Sequence, residues 1–478
     1  MASERSTPGL AGKLPSGTRR VGALVVVLVA CVVSAQVGTS AVNVALPELV
    51  EWSGRGFGAA QWVVVAYLLG MTGASLVIGY AGDVIGRAKT LRIGLAVFVA
   101  AGIACAVAPD LWVLVLARGV QGIGAAAMST LPIALVRDAV ADRRSGSVMG
   151  LLGTASAIGT AAGPALGGLL QGAWGWPAIF CAMIPLPLIV LAIPRVFADA
   201  TAAGEGVSAA AGVRRFDFTG SVIVGVAAAT YAIAFTGEVF GTWWSLGLMV
   251  VAGLLVTLLV PVERRATHPV MPGLLLRTRA VGLGAIVNLV VGAVMMSTLI
   301  VGPFYLAGAI GLSPTSVGLA MAAGPIVSIF SGMLAGHLVD RGSPVRLASA
   351  GLGVMAAGAT ALAVLPPYWG LPGYLIGTML LAPGYQLFLA SNNTLVMGAV
   401  TAERRGTASG LLGISRNLGL VTGTTILGSV FVAAIGSADA ASASTDGLDT
   451  GLRLVFGIAA VALAGAALAS VMLQREKR

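Results

Sequence analysis

Long apolar runs follow one another along almost the whole chain. They fall at roughly 21–46, 60–81, 91–108, 111–135, 146–171, 175–195, 218–236, 244–262, 281–308, 315–338, 345–366, 371–398, 408–435 and 452–473. A helix needs about 20 mostly apolar residues to cross the hydrocarbon core of a bilayer. In lipid every backbone N–H and C=O must be satisfied within the protein, which leaves the helix as the spanning element for runs of this kind. The fold class that follows is an all-α polytopic membrane protein of fourteen spans. Composition agrees, with 57% hydrophobic and only 10% charged residues, a balance foreign to soluble domains.

Charge placement orients these spans. Of the 28 Lys and Arg, all but four fall on one side when both termini share that side. The exceptions are Arg55 and Arg453 on the far side and Arg118 and Arg416 inside spans. Basic short loops mark the cytoplasmic face, so both termini are expected there. The net charge of +10 therefore reflects topology and does not call for a nucleic-acid partner. The carboxylates fall in loops or at span ends, with Glu48, Glu51, Asp110, Glu238, Asp439, Asp446 and Asp449 outside. Trp174, Trp176, Trp243, Trp244 and Trp369 lie near the outer boundary, where interfacial aromatics belong. Cys31, Cys105 and Cys181 sit within apolar runs and read as small packing residues.

The chain repeats itself. The run Gly150–Leu170 carries Ala155, Gly159, Gly163 and Gly167 at four-residue spacing, one stripe of nearly bare backbone on a helix. Such a stripe lets another helix approach closely. Pro164 removes a backbone donor and predicts a bend. Later, Leu411-Leu412-Gly413 answers Leu151-Leu152-Gly153, and Gly419, Gly423 and Gly428 answer Gly159, Gly163 and Gly168. Upstream, Glu403-Arg404-Arg405 answers Asp142-Arg143-Arg144, while Thr424 stands where the first copy has Pro164. The expected organisation is a disordered tail at 1–20, a six-helix bundle at 21–195, a polar linker at 196–217, two inserted helices within 218–265, and a second six-helix bundle at 280–473. A duplicated membrane unit with close-packed, kinked helices is the layout of a carrier that rocks one half against the other.

Several residues are candidates for the moving parts. The loop Gly79–Lys89 contains Gly79, Asp83, Gly86 and Arg87, and its counterpart after the tenth span contains Asp340 and Arg341. Each Asp can face the positive start of a helix in the other half, Asp83 near Thr407 and Asp340 near Ser145, closing the cytoplasmic side. The alternative is a solvated turn. Arg118, in Arg118-Gly119-Val120-Gln121-Gly122, lies mid-span, where an arginine costs at least about 2.5–3.5 kcal/mol on insertion scales. It is expected to face a wet interior, or else to reach backbone carbonyls at a kinked helix. Arg416 lies in register with Ser156 of the first copy and either enters the interior or snorkels to the cytoplasmic face. Gly38, Asn43, Tyr67, Gln121, Asn288, Gln386 and Asn392 complete a candidate transport path. Each polar group has an interhelical hydrogen bond as its alternative. Met128, Met295 and Met296 read as packing. No metal cluster, catalytic triad or phosphate loop is present, so neither a metal nor an organic cofactor is expected, and the chain does not read as an enzyme.

At these residues the chain resembles the major facilitator superfamily, and its fourteen-helix drug/proton antiporter branch in particular. Gly79–Lys89 is similar to the superfamily's gating motif, and Arg118–Gly122 to its helix-four motif. The run Gly159 to Gly168, with Gly163-Pro164 and Gly167-Gly168, is similar to the helix-five motif typical of exporters. Gln61–Val64 with Tyr67, Val42–Pro47 and Glu263-Arg264-Arg265 resemble branch hallmarks. The resemblance implies efflux of amphipathic drugs or metabolites across a bacterial plasma membrane by a chain acting alone, with a proton gradient as the candidate energy source. One departure matters. Where the branch carries an Asp five residues before the Asn of its Val-Asn-Val-Ala-Leu-Pro run, this chain has Gly38. An interior with Arg118, joined by Arg416 if that side chain enters it, and no acid favours neutral or anionic solutes. That supports a second expectation, a uniporter or exchanger of anionic or neutral metabolites.

Overall fold

The computed structural model describes residues 16–139, 142–193, 218–235, 242–265, 278–401, 405–436 and 443–475. Among them a helix stands at each expected position: α1 (Ser16–Ser40), α2 (Trp62–Ile85), α3 (Arg87–Ala106), α4 (Leu111–Ala139), α5 (Asp142–Trp174), α6 (Pro177–Met183 continuing as Pro185–Leu191), α7 (Phe218–Phe235), α8 (Thr242–Arg265), α9 (Arg279–Phe304), α10 (Pro314–Arg341), α11 (Pro344–Val364), α12 (Leu371–Gly398), α13 (Arg405–Thr422) and α14 (Thr445–Arg475). Ten helical stretches among the described residues are long and apolar enough to cross a membrane. The linker at 196–217 lies outside the described residues, as do residues 1–15 of the tail. α1 begins at Ser16, inside the stretch read as tail, because helical hydrogen bonding continues beyond the apolar run that announces it.

Several helices change winding near one end of the bundle. α1 passes through a 3₁₀ turn at Ala41–Ala45 into a short helix, Leu46–Ser53. α9 and α13 each widen into a single π turn, at Tyr305–Ala309 and Gly423–Leu427, before α13 resumes as Gly428–Ile435. α6 breaks at Ile184, next to Pro185 and Pro187, whose rings cannot continue the backbone ladder.

The duplication is visible in the packing. α5 lies along α1, and α13 lies along α9. The glycines that repeat in sequence make these contacts: Gly159 sits against the backbone of Val33, and Gly419 against that of Leu289 and Gly292. α4 is the centre of the first half, packed on α2 and α3, and α12 is the centre of the second, packed on α10 and α11. The inserted helices α7 and α8 pair with each other, and α7 leans on α2 and α13, where the Tyr231 and Thr422 hydroxyls are 3.0 Å apart.

Two apolar cores result. One belongs to the first half. The other fills the second half and reaches across to Val44, Leu46, Val50, Phe57 and Val64 at the far ends of α1 and α2. At that end Phe57 meets Phe304 edge to face at 5.1 Å, with Phe431 6.3 Å from each. The halves therefore close on each other at the end opposite the basic loops.

Candidate functional site

A cavity of about 200 Å³ lies between the halves at mid-height of the spans. It is larger than the roughly 150 Å³ hole that admits one benzene in an engineered core, so it is in scale with a small organic solute. α1 contributes Gln36, Thr39 and Ser40, and α5 contributes Gly153, Ser156, Ala157 and Thr160. The second half contributes Met295, Met296, Thr298 and Leu299 from α9, Met321 and Ser328 from α10, Tyr374, Thr378, Tyr385 and Gln386 from α12, and Arg416 and Leu420 from α13. Gln36, Thr39 and Ser40 share a face because positions three and four apart align on a helix. Gly38 sits about 200° around the helix from Gln36 and looks the other way.

The cavity is roofed at one end by the helix-five motif. On α5, Gly159, Gly163 and Gly167 seat α1, while Gly168 turns to α10 of the other half. A Cβ on Gly168 would stand 2.8 Å from the Gly318 Cα, and one on Gly318 would stand 2.9 Å from the Gly168 Cα. Thr315 Oγ1 donates to the Gly168 carbonyl at 3.3 Å. At the other end of the same pair of helices, Gly153 and Gly336 have open space where a side chain would go. Pro164 lies inside α5 without breaking it.

The two intramembrane arginines have different surroundings. Arg118 is fully buried inside the first half and is absent from the cavity wall. Its Nε donates to the Val63 carbonyl at 3.0 Å, Nη1 to Gln121 Oε1 at 2.7 Å, and Nη2 to the Gly38 carbonyl at 2.9 Å. The Tyr67 ring covers the guanidinium at 4.0 Å. The expectation that Arg118 faces a wet path gives way to its alternative: carbonyls of α1 and α2 and an amide of α4 take its donors. Arg416 is the opposite case. It lines the cavity, and its buried Nε has no hydrogen-bond partner among the described residues. Ser156, its counterpart in the repeat, lines the facing wall.

Of the other expected path residues, only Gln386 reaches the cavity. Asn288 clips α9 to α13 through the Leu412 carbonyl at 2.8 Å, and Asn392 clips α12 to α9 through the Gly284 carbonyl at 3.2 Å. Asn43 bonds back to the Thr39 and Ser40 carbonyls of its own helix. Tyr67 donates to the Ala35 carbonyl at 2.8 Å, and Gln121 serves Arg118. In each case a backbone carbonyl or a neighbouring side chain inside a half takes the hydrogen bond, although Asn43 Oδ1 and Gln121 Nε2 are buried with no partner among the described residues. Met295 and Met296, read as packing, do pack in the second core and also border the cavity, while Met128 is core of the first half. Gln36 and Ser328 were not expected. The polar arc of Gln36, Thr39 and Ser40 at helical spacing is the signal that marks the first.

The basic loops are only partly described. Gly86 has φ +99° at the junction of α2 and α3, a conformation that suits glycine. Gly79 has open space around it. Arg87 Nη1 donates to the Ala134 carbonyl at 3.3 Å, within its own half. Asp340 and Arg341 are exposed. The expected contacts of Asp83 with Thr407 and of Asp340 with Ser145 involve side chains outside the described set.

Gly38 permits a direct test. A Cβ there would meet Tyr67 Oη at 2.7 Å and Phe98 Cζ at 3.5 Å, so Gly38→Asp must displace the ring that covers Arg118. Destabilisation of roughly 1–3 kcal/mol is expected, as for overpacked cores, read as a lower melting temperature in detergent and partly restored by Tyr67→Phe. Unchanged stability with newly acquired cation transport would place Gly38 on the path.

Among the described residues, twelve core helices form two repeated halves around a mid-span cavity. The sequence model described as Major Facilitator Superfamily matches residues 28–295 and 283–478. The chain belongs to the major facilitator superfamily. Within that superfamily it is 34% identical over 399 residues to the multidrug resistance protein Stp of Mycobacterium tuberculosis, covering 82% of this chain and 72% of that one. It is 25% identical over 392 residues to the riboflavin transporter RibZ of Clostridioides difficile, covering 82% and 84%. Among solved structures, a bacterial homologue of the lysosomal transporter Spinster, described as inward-facing and unoccupied, aligns with a TM-score of 0.64 at 15% identity over 97% of this chain and 99% of that chain. That last likeness speaks to fold alone. As a major facilitator protein with exporter-like relatives, the chain is a multi-pass membrane transporter and not an enzyme.

Proposed function

We propose that this protein exports amphipathic organic compounds from a bacterial cell by alternating access, as a single chain with fourteen spans and both termini in the cytoplasm. The observation that carries the reading is the asymmetry around the cavity. Glycine backbones and a phenylalanine cluster join the halves on one side, while among the described residues Gly153 and Gly336, nearer the basic loops, face open space. Basic loops belong in the cytoplasm, so this is the state that loads from inside. The wall suits varied apolar bodies, because Met295, Met296 and Met321 are unbranched and adapt their shape. The similarity to Stp, a multidrug resistance protein, supports export, and the similarity to RibZ, a riboflavin transporter, points to a vitamin-like solute as within the range of such a wall.

Accessibility tests the reading. Gln36→Cys, in a background where Cys181 is replaced, should react with a membrane-impermeant maleimide in inverted vesicles at least about tenfold faster than in right-side-out vesicles. Equal rates from both faces, or no reaction from either, would refute a cavity that opens to one side at a time.

One observation favours a second reading of the energetics. No carboxylate or histidine lines the cavity among the described residues. Intramembrane acids are the usual proton carriers, so uniport or exchange is the alternative to proton antiport. Proton exit from liposomes, driven by substrate added outside, would decide for antiport.

A further inference from the structure

The cavity wall has an excess of unanswered donors at one place. Thr39, Ser40, Thr160, Thr298 and Thr378 each spend their hydroxyl proton on a carbonyl of their own helix. Those side chains present only lone pairs to the cavity. Gln36, Gln386 and Tyr385 line the wall with no intraprotein partner among the described residues, and so does Arg416. Arg416 is a permanent cation with five N–H donors. A charge held among spans is costly unless it is paired. Arg118 shows how this protein pairs one that is purely structural, with three hydrogen bonds and an aromatic ring. Among the described residues Arg416 has none of these, and no acid shares its cavity.

We infer that Arg416 anchors an oxyanion of the transported solute, so that the preferred substrates are amphipathic organic anions carrying a carboxylate, sulfonate or phosphate on an apolar body. The guanidinium takes the oxyanion, with the Gln386 amide as a second donor from α12. The methionines of α9 and α10 receive the apolar part. A planar guanidinium matches such groups in a two-point contact that an ammonium cannot reproduce. Anchor and apolar wall both belong to the second half, whereas Gln36 and Ser156 come from the first. Bound solute thus bridges the two bodies that must move. This rests on the cavity being the transport site, but it makes a claim about charge that the accessibility experiment does not.

The test is binding to the full chain in phosphatidylcholine nanodiscs, against empty nanodiscs, with three probes of one shape: 2-naphthoate, 2-naphthalenemethanol and 2-naphthylmethylammonium. The wild type should bind the acid at least about tenfold more tightly than the alcohol, and the amine least. Arg416→Gln should erase the preference for the acid and leave the alcohol within about twofold, while Arg416→Lys retains part of it. Should Arg416→Gln not fold, Gln386→Glu asks the same question with Arg416 intact: the new carboxylate should cost the acid about tenfold and favour the amine. Equal affinity of the wild type for acid and alcohol, or equal loss of both in Arg416→Gln, overturns the inference. So does displacement of 2-naphthoate by phosphatidylglycerol added to the nanodiscs, which would assign the site to a lipid headgroup. Binding in nanodiscs requires no transport, so failure here and failure of the accessibility experiment are separable.

Discussion

Gly318→Val is expected to slow transport at least about tenfold while leaving a folded protein. The reason lies in what α5 and α10 do at their far ends. Gly168 and Gly318 bring two backbones together with no side chain between them, and a Cβ on Gly318 would fall within 2.9 Å of the Gly168 Cα. Neither atom is the end of a flexible side chain, so neither can move aside without moving a helix. In the alternating-access cycle proposed above, the contact belongs to the state in which that end is shut. A bulky residue there acts on one conformation and leaves the other alone. A penalty of roughly 3 kcal/mol on one state shifts a two-state ratio about 100-fold. Transport needs both states, so its rate should drop at least about tenfold, and Gln36→Cys should become reactive from the periplasmic face. Gly168→Val should do the same from the other side of the contact. Gly465→Val on α14 is the control, since open space surrounds that glycine and valine is no worse than glycine inside a helix. Transport at the wild-type rate in Gly318→Val would mean that the seal between α5 and α10 is not part of the cycle.

The sequence carried this contact in part. A four-residue glycine period predicts close helix packing, and its recurrence near residue 419 predicts that the packing is duplicated. Both follow from small residues and lipid, with no tertiary information. The period could not say that Gly167 and Gly168, adjacent in the chain, serve different partners, one on α1 and one across the interface. That depends on where α10 lies. The path residues show the same limit. Asn288 and Asn392 are legible as polar groups that must be satisfied, but a span offers two ways to satisfy them, and the nearby carbonyls of Leu412 and Gly284 decide. Arg416 reached the cavity and Arg118 did not, although both are single arginines in apolar runs. The repeat held the clue, because the counterpart of Arg416 is Ser156 on the cavity face of α5. For Gly38 the helical period alone settles direction once Gln36 is known to line the cavity.

Arg118→Ala is expected to weaken the first half of the protein more than any substitution in the cavity. The guanidinium joins three helices: it donates to Gly38 on α1, to Val63 on α2 and to Gln121 on its own α4. It is also the largest fully buried side chain among the described residues. Truncation removes three hydrogen bonds and leaves a hole beneath Tyr67 and Phe180, whose rings stand 4.0 and 5.8 Å from the guanidinium carbon. Large-to-small changes at sealed positions cost roughly 2–5 kcal/mol, and unanswered acceptors add about 1–3 kcal/mol each. One effect opposes these, since removing a charge with no acid beside it relieves the cost of burying it. Arg118→Met separates the two. It keeps most of the volume and discards the charge, so it should recover part of what Arg118→Ala loses. Thermal unfolding in detergent reads both, and Arg416→Ala provides the comparison: a cavity-lining arginine with no intraprotein bonds should melt close to the wild type. If Arg118→Ala kept its melting temperature and lost solute binding instead, the guanidinium would be a binding group reached in another conformation, and its carbonyl cage would be one stage of the cycle.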